Sequence, residues 1–350
     1  MPTEVSFVIC NNGFGHAKRV ALVVPCLADF GVRNFRFLSG PGQIEYLQRA
    51  LADKMAPAEV RLDFSSDPFR GVSTPNEDYP ASGRWMEGAI DWLNSAKGVV
   101  VSDNYPSVLS VRRCILMGSF LWSEVFVDSK KPSWREQALR ESAMLRERKP
   151  SMIGVQEMAM PQVRLSTRFF PCPWFGQPSE DRAAGFYERS GILLSSGAGF
   201  TNRDFLCDLF CELSAREVGP LYVDGGLQRA LESRGVTNSA LFDFKPESFS
   251  ALRLIVGRPG MGLLSDCVMH GVPLVATGLI NESEMLHNAA QMNLLGIGIY
   301  VTDPKKSIET IEKAGQDSFV WQGMHTALMQ RPLGGEKFAA ERILEDDSEN

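Results

Sequence analysis

Short apolar segments that alternate with helical patterns run along the chain in two series, and a proline-rich segment separates the series. The apolar segments are residues 5–10, 34–38, 98–102 and 114–117 in the first series and residues 191–197, 221–223, 240–243 and 254–256 in the second. Strands that alternate with helices pair in parallel, because each helix carries the chain back to the same end of the sheet. A chain of 350 residues is long enough for two such sheets with separate cores. The pattern therefore predicts an α/β fold with two Rossmann-like halves.

The proline-rich segment sets the expected domain boundaries. Residues 1–172 are predicted to form an N-terminal Rossmann-like domain, residues 173–190 a linker, and residues 191–335 a second Rossmann-like domain. Residues 336–350 are expected to form a helix that returns to the first domain and then a frayed acidic tail.

Composition excludes several classes of protein. The net charge of −6 and the isoelectric point near 5.4 argue against nonspecific binding to nucleic acid or to acidic membranes. The sequence has no run of 18 apolar residues and no signal-peptide pattern, so we expect no transmembrane helix, while a peripheral membrane contact stays open. The seven cysteines include no Cys-x-x-Cys pair, and reduced thiols in the cytoplasm fit them best.

A glycine loop between an apolar strand and a helix is the most informative motif of the second series. It runs from Arg258 to Asp266, and Gly271 is expected to end the helix. Gly260 and Gly262 let backbone N–H groups approach a ligand closely, and the helix N-terminus adds partial positive charge for a diphosphate. One turn into the helix, the carboxylate of Asp266 is within reach of ribose hydroxyls. The motif predicts a nucleotide-sugar site, or the remains of one.

A second glycine loop follows the first strand of the chain. Gly13 and Gly15 free the backbone of this loop, and His16 comes at the start of the next helix. Open α/β sheets bind ligands at this end of their strands. An imidazole there can take a proton from an attacking hydroxyl or water, because it titrates near neutral pH. The alternative for His16 is a structural hydrogen bond within the loop.

Charged residues near this loop have two possible roles each. Asp103 ends a parallel strand, so it is a candidate for a substrate contact or for a partner that orients His16; the alternative is an N-cap of the following helix. Lys18 and Arg19 are close enough in sequence to contact a phosphate or a substrate carboxylate, and solvated helix charges are the alternative. Both questions stay open at this stage.

Ser196 and Gly197 lie at the end of the first strand in the second series. Small residues with backbone amides suit phosphate oxygens at this position, although serine and glycine are also ordinary turn residues. The sequence has no Asp-x-Asp pair and no cluster with metal-ligand spacing. We therefore expect a mechanism without a metal ion, in which helix dipoles and amides stabilise a leaving diphosphate.

Over nearly its whole length the chain resembles the GT-B superfamily of nucleotide-sugar enzymes, above all bacterial N-acetylglucosaminyltransferases of cell-wall synthesis and related UDP-glycosyltransferases. Residues 259–273 align without gaps with their glycine loop, Ser-Glu helix and Gly-x-Pro segment, and Asp266 stands where they have a ribose-binding glutamate. Glu284 and Asn288 fall on the donor-sugar motif, where Met285 replaces the usual glutamine and cannot hydrogen-bond sugar hydroxyls as an amide does. The resemblance implies a GT-B fold with two Rossmann-like domains facing each other across a cleft.

The first half also resembles another GT-B relative, the UDP-sugar hydrolase of pseudaminic acid synthesis, which uses water as acceptor. Residues 13–19 and 103–105 carry this resemblance, and the hydrolase has a histidine in the same loop. The chain is longer than that hydrolase, and its polar stretches 63–92 and 128–149 are expected to hold short helices or loops that form an acceptor site. A glycosyltransferase is the favoured interpretation, a hydrolase is the first alternative, and a non-catalytic sugar-nucleotide binder is the second.

The predicted function is the metal-independent transfer of a sugar from a nucleoside-diphosphate sugar, with UDP favoured, to a hydroxyl of a small-molecule, glycan or lipid-linked acceptor. His16 is the predicted general base, and Asp103 is its predicted partner. The nucleotide-sugar is the donor substrate, and no further cofactor and no nucleic-acid partner are expected. The residues predicted to bind it are Gly13, Gly15, Ser196, Gly197, Arg258, Gly260, Met261, Gly262, Asp266, Glu284 and Asn288.

Overall fold

The computed structural model describes residues 4–52, 54–55, 60–178, 186–197, 203–278, 282–316 and 318–348. The chain divides into two compact units, Met1–Phe175 with Gly334–Asn350 and Gly176–Leu333. Residues 179–185, within the segment predicted as a linker, lie outside the described residues. Among the helices of the described residues, none is long and apolar enough to cross a lipid bilayer.

The first unit is built on a parallel sheet. Its strands are β1 (Glu4–Ile9), β2 (Asn34–Leu38), β3 (Arg61–Ser65), β4 (Val99–Asp103), β5 (Ile115–Met117), β6 (Ser151–Val155) and β7 (Arg168–Cys172). The helices between them are α1 (Gly15–Asp29), α2 (Pro41–Ala52), α3 (Trp85–Asn94), α4 (Trp122–Phe126), α5 (Pro132–Arg148) and α6 (Pro161–Ser166). Within the described residues, seven strands pair in parallel in the order β3-β2-β1-β4-β5-β6-β7. The winding direction therefore reverses between β1 and β4, where sheets of this kind bind ligands.

The second unit repeats this architecture. Its strands are β8 (Gly191–Ser195), β9 (Leu221–Val223), β10 (Ala240–Leu241), β11 (Leu252–Gly257), β12 (Leu274–Thr277) and β13 (Gly298–Val301). Its helices are α7 (Arg203–Ala215), α8 (Gly225–Ser233), α9 (Met261–His270), α10 (Ser283–Leu294), α11 (Pro304–Gln316) and α12 (Ser318–Met329). Six strands of the described residues pair in parallel in the order β10-β9-β8-β11-β12-β13, so the winding reverses between β8 and β11. The predicted α/β fold with two Rossmann-like units is confirmed.

The end of the chain belongs to the first unit. The last helix, α13 (Gly335–Ser348), packs on α1, and Gly335 donates its backbone N–H to the carbonyl of Trp174 at 2.9 Å. Trp174 is fully buried, and its indole N–H donates to the carboxylate of Glu157. These contacts hold both the segment after β7 and the last helix against the first sheet.

Gly271 shows how the local sequence determines a helix end in the second unit. It is the C-cap of α9 and adopts a φ of 64°, a left-handed conformation that glycine takes without steric cost. A Cβ atom at this position would come within 3.0 Å of the imidazole of His325. The prediction that Gly271 ends this helix is confirmed.

The polar stretches 63–92 and 128–149 hold more regular structure than the sequence indicates. The first contains most of β3 and the helix α3, and the second is mostly α5, a helix of 17 residues. β3 alternates charged and apolar residues, as is common for an edge strand. α5 exposes many charged residues, so its narrow buried face is hard to recognise in the sequence. That face consists of Trp134, Ala138, Glu141 and Leu145. The expectation of only short helices or loops was wrong for α5.

One of these buried residues is a carboxylic acid inside an aromatic core. Glu141 accepts the backbone N–H of Ser123 at 2.9 Å and lies beside the hydroxyl of Tyr79. The ring of Tyr79 packs on Phe126 and Trp134, with centroids 4.8 and 6.5 Å away. Burial raises the pKa of Glu141 to about 7, and the N–H of Ser123 offsets only part of this effect. Such a group changes its charge near neutral pH.

Candidate functional site

The ends of β1 and β4 bring His16 and Asp103 together. Asp103 is the last residue of β4 and pairs with Ile9, and its backbone carbonyl accepts the N–H of Cys10 at 3.0 Å. Because α1 begins at Gly15, His16 lies in the first turn of that helix, next to the end of β4. The Nδ1 atom of His16 is 2.7 Å from Oδ1 of Asp103, and both side chains are buried. Two residues that are 87 positions apart thus form one hydrogen-bonded pair.

Arg19, one turn after His16 in α1, binds the same carboxylate. Its Nε donates to Oδ2 of Asp103 at 2.9 Å and its Nη2 to Oδ1 at 2.7 Å. Arg19 is only 9% exposed, so the alternative of a solvated helix charge is wrong. The N-cap alternative for Asp103 is wrong as well, because the short 3₁₀ helix Pro106–Ser110 has Tyr105 at its N-cap and no side-chain cap.

Electrostatics keep the carboxyl group of Asp103 ionised. Burial by itself raises the pKa of Asp103, but the guanidinium of Arg19 and the imidazole of His16 outweigh burial and hold the pKa below its ordinary value of 3.8. A carboxylate that accepts Nδ1–H fixes the tautomer of the ring, which leaves the lone pair on Nε2 of His16. This arrangement has the chemistry of a general base.

Hydrogen bonds to its backbone and side chains hold the loop before His16 in place. Gly13 adopts a φ of 84°, and its N–H donates to the carbonyl of Asn11 at 3.2 Å. The amide of Gln43 in α2 donates to the carbonyls of Asn11 and Gly13 at 3.1 and 3.0 Å. The hydroxyl of Tyr105 donates to Oδ1 of Asn11 at 2.6 Å. The predicted contact of Gly13 and Gly15 with a nucleotide-sugar stays a prediction, while their part in shaping this loop is visible.

Asn104, which sequence reasoning did not single out as a separate site, directly follows Asp103. It has a φ of 66°, which is uncommon for a residue with a Cβ atom. Asn104 is buried, and within the described residues its side-chain oxygen and nitrogen have no hydrogen-bond partner. An unpaired buried amide costs about 1–3 kcal/mol. Unusual backbone and unpaired polar atoms together are characteristic of functional sites.

The glycine loop of the second unit joins a strand to a helix as predicted. β11 ends at Gly257, α9 begins at Met261 with Gly260 at its N-cap, and Gly262 lies in its first turn. The first N–H groups of any α-helix lack partners within the helix, and they form its partially positive end. An anion such as a diphosphate suits this position.

Side chains of α10 and the residues before it hold this loop. Arg258 forms an ion pair with Glu282, and the amide of Asn288 donates to the carbonyl of Pro259 at 2.9 Å. Asn288 is fully buried, and Glu284 is also buried. The structure therefore brings the predicted residues Arg258 and Asn288 together at the loop, and Glu284 lies one turn before Asn288 in α10. Glu282, which sequence reasoning missed, is the partner of the arginine.

Asp266 lies in the second turn of α9 and is only 5% exposed. Its predicted contact with ribose hydroxyls stays a prediction. Met285 is 4% exposed on α10.

Ser196 and Gly197 lie at the predicted place, after β8, but their donors are engaged by a carboxylate. The hydroxyl of Ser196 donates to Oδ1 of Asp224 at 3.1 Å, and the N–H of Gly197 donates to Oδ2 at 3.1 Å. Asp224 follows the neighbouring strand β9 and also accepts the N–H of Leu227 at 2.7 Å as the N-cap of α8. The sequence signal for this cap, an aspartate before two glycines at a helix start, was available.

Within the part of the chain that the structure describes, no group of three or more His, Cys, Asp or Glu side chains could hold a metal ion. All seven cysteines are free thiols, and five of them are buried.

Comparison with known proteins gives the fold a name. No protein-family model matches the chain, and no curated protein sequence matches it significantly. Solved structures do match it, and many are GT-B glycosyltransferases. The calicheamicin glycosyltransferase CalG4 is 16% identical, with a TM-score of 0.60 over 98% of this chain and 97% of that chain.

Two further structures contain nucleotides. LpCGTa in complex with UDP is 10% identical, with a TM-score of 0.68 over 98% of this chain and 97% of that chain. The glycosyltransferase SsfS6 from Streptomyces sp. SF2575, complexed with thymidine diphosphate, is 15% identical, with a TM-score of 0.55 over 98% of this chain and 99% of that chain. At this level of identity the likeness establishes the fold, which is GT-B.

Proposed function

We propose that this protein is a glycosyltransferase that moves a sugar from a nucleoside-diphosphate sugar to a hydroxyl group, with His16 as general base. The observation that carries the proposal is the 2.7 Å contact between His16 Nδ1 and Asp103 Oδ1 at the winding reversal of a GT-B chain. A GT-B fold alone is compatible with several reactions, and the His16–Asp103 pair is what assigns a general base to this one.

The His16–Asp103 pair supplies what the attacking hydroxyl needs. Nε2 of His16 takes the proton of the hydroxyl as its oxygen bonds to the anomeric carbon and the bond from that carbon to the diphosphate oxygen breaks. The imidazole becomes positively charged in this step, and Asp103 at Nδ1 stabilises that charge and holds the ring in orientation. The leaving group is the nucleoside diphosphate, which carries the electron pair of the broken bond.

The second unit supplies the groups that bind the nucleoside diphosphate. The N-terminal end of α9, from Gly260 to Gly262, offers backbone N–H groups to the phosphate oxygens, and Arg258, which is paired with Glu282, adds a guanidinium nearby. We assign the ribose hydroxyls to Asp266 and the sugar to Glu284 and Asn288. Because helix amides and an arginine can offset the charge of a leaving diphosphate, we propose that the reaction proceeds without a metal ion.

The nucleoside and the acceptor are assigned as classes. UDP is the proposed nucleotide, and the structural neighbours that contain UDP or thymidine diphosphate make thymidine diphosphate the first competitor. The proposed acceptor is a hydroxyl of a small molecule, a glycan or a lipid-linked compound. Free thiols at all seven cysteines are consistent with the proposed cytoplasmic location, which is a reducing compartment.

Hydrolysis of a nucleoside-diphosphate sugar is the second candidate. The same observation favours it, because an imidazole held at Nδ1 by Asp103 can deprotonate water as well as an alcohol. The two reactions differ only in the oxygen that attacks the anomeric carbon. They share the donor site and the base, so substitutions in the site cannot tell them apart.

The test is the release of nucleoside diphosphate from UDP-, thymidine-diphosphate- and GDP-sugars, with and without a panel of hydroxyl acceptors. Release that depends on an acceptor, together with a glycosylated product, supports the proposal. Release without acceptor identifies a hydrolase. Binding of the nucleotides in calorimetry without any turnover contradicts both reactions, and loss of activity with EDTA contradicts the metal-independent mechanism.

A further inference from the structure

Arg19 contacts both members of the proposed catalytic pair. Its guanidinium reaches both oxygens of Asp103, and its Nη2 is also 3.3 Å from Nδ1 of His16. A planar guanidinium and a carboxylate form two parallel hydrogen bonds, the strongest arrangement available to such a pair. The carbon centre of the guanidinium lies 5.7 Å from the ring centroid of Phe175, so an apolar ring lies beside the group.

The distances determine where the protons are. Nδ1 of His16 and Oδ1 of Asp103 are 2.7 Å apart, which requires a proton between them, because two lone pairs at that distance repel each other. Nδ1 therefore donates to Asp103 and has no lone pair left for Arg19. The 3.3 Å contact between Nη2 of Arg19 and Nδ1 of His16 is therefore not a hydrogen bond. It places the positively charged guanidinium next to the ring.

The two charged side chains that contact the ring, those of Asp103 and Arg19, have opposite charges. Asp103 contributes one negative charge from β4 and Arg19 one positive charge from α1. Burial raises the pKa of Cys10, the residue after β1, and of Cys172 in β7 to about 12, so both thiols are neutral at pH 7. Glu336 in α13 is a further carboxylate in this region, where it acts on Cys172.

We propose that Arg19 is a positioning residue that balances the charge of Asp103, so that Asp103 orients the His16 ring without favouring its protonation and Nε2 keeps the lone pair that accepts a proton. Without the guanidinium, the buried carboxylate of Asp103 needs another positive charge, and the nearest group that can supply one is the His16 ring itself. A protonated ring has no lone pair on Nε2. Arg19 thus keeps the base in its active form while Asp103 still orients it.

The first experiment measures protonation and needs no substrate. The ring signals of the four histidines are followed by NMR between pH 4.5 and 9, and His16→Gln identifies the signal of His16. In Arg19→Met we expect the titration midpoint of His16 to rise by about one to two pH units, the usual effect of an unbalanced opposite charge. Arg19→Lys keeps the charge and should restore most of the midpoint.

A matched control is available in the same unit. Arg36 is partly buried, lies 3.8 Å from the carboxylate of Glu4, and stacks on the ring of Trp92 at 4.4 Å. Arg36→Met removes a comparable arginine and should leave the midpoint of His16 unchanged. If Arg19→Met does not fold, Asp103→Asn provides the opposite test, because the remaining guanidinium should lower the midpoint. A midpoint that stays constant in the folded variants contradicts the proposal.

The kinetic consequence rests on the proposed function and is tested separately. In Arg19→Met the acid limb of the kcat/KM profile should move to higher pH by the same amount as the NMR midpoint, and the rate at high pH should recover toward that of the unsubstituted protein. A uniform loss of rate at all pH values would mean that Arg19 only holds the fold together. A shifted midpoint in a protein without any transfer or hydrolysis would contradict the proposed function and leave the role of Arg19 intact.

Discussion

The buried carboxyl group of Glu141 predicts that substitution by glutamine stabilises the protein at neutral and alkaline pH. Glu141 lies in an aromatic core and has the backbone N–H of Ser123 as a donor to its carboxylate. A glutamine at this position keeps an oxygen that can accept the same N–H, and it has no charge to bury. The substitution therefore changes the electrostatics of the site with little change in shape.

The magnitude follows from the pKa of Glu141, which burial raises from 4.5 to about 7. Because the folded state binds this proton more tightly than the unfolded state, stability is highest below pH 4.5 and falls as the pH rises toward 7. A shift of this size corresponds to a loss of about 3 kcal/mol above pH 7. The lowered pKa of Asp103 acts in the opposite direction, but at lower pH, below its ordinary value of 3.8.

Urea unfolding between pH 5 and 8.5 tests this prediction. The free energy of unfolding of the unsubstituted protein should fall across this range relative to that of Glu141→Gln, and the difference between the two should approach about 3 kcal/mol at the alkaline end. Glu147→Gln, on the exposed face of the same helix, is the matched control and should follow the unsubstituted protein. Parallel curves for the unsubstituted protein and Glu141→Gln would refute the reasoning.

Three further predictions concern the two sites. Asp103→Asn removes the charge that stabilises the protonated His16 formed during the reaction, so steady-state turnover at the pH optimum should fall by about 10²-fold or more. An unchanged rate would exclude Asp103 from the mechanism. Asp266→Ala should weaken the binding of UDP, measured by calorimetry, by about 1–3 kcal/mol, the usual value for hydrogen bonds to a charged group. Unchanged affinity for both UDP and thymidine diphosphate would refute the assignment of Asp266 to the ribose. Asp224→Ala removes the N-cap of α8, so the free energy of unfolding should fall by at least about 1–2 kcal/mol; full stability would mean that this cap contributes nothing.

The fold class could be predicted because its signals are local. Apolar strands, glycine loops and helix ends such as Gly271 are read from neighbouring residues, and they indicate a parallel α/β fold in each half. The length of α5 was not predicted, because that helix buries only a narrow face and exposes many charged residues. Its buried acid, Glu141, gives no sign of its environment in the sequence.

The site was predictable only in part, because its key contacts join residues that are distant along the chain. His16 and Asp103 were each recognised from their position after a strand, but their contact depends on the pairing of β1 with β4. Arg19 lies three residues after His16 on the same helical face, a usable signal, yet its partner is fixed by the same pairing. Asp224 reaches Ser196 because β9 lies next to β8, which no local pattern reveals.

The central claim is that His16 is the base for attack on a bound nucleotide-sugar, and the most direct measurement compares turnover with nucleotide affinity in His16→Ala. General-base catalysis contributes about 10²–10⁴-fold, so turnover with the true donor and acceptor should fall by that factor. The affinity for the nucleoside diphosphate should stay near that of the unsubstituted protein, because the residues proposed to bind it lie in α9 and in the loop before α9, and not beside His16 in sequence. Turnover of His16→Ala within about threefold of the unsubstituted protein, well below the 10²-fold minimum for a general base, would contradict the account and make His16 a structural residue of its loop.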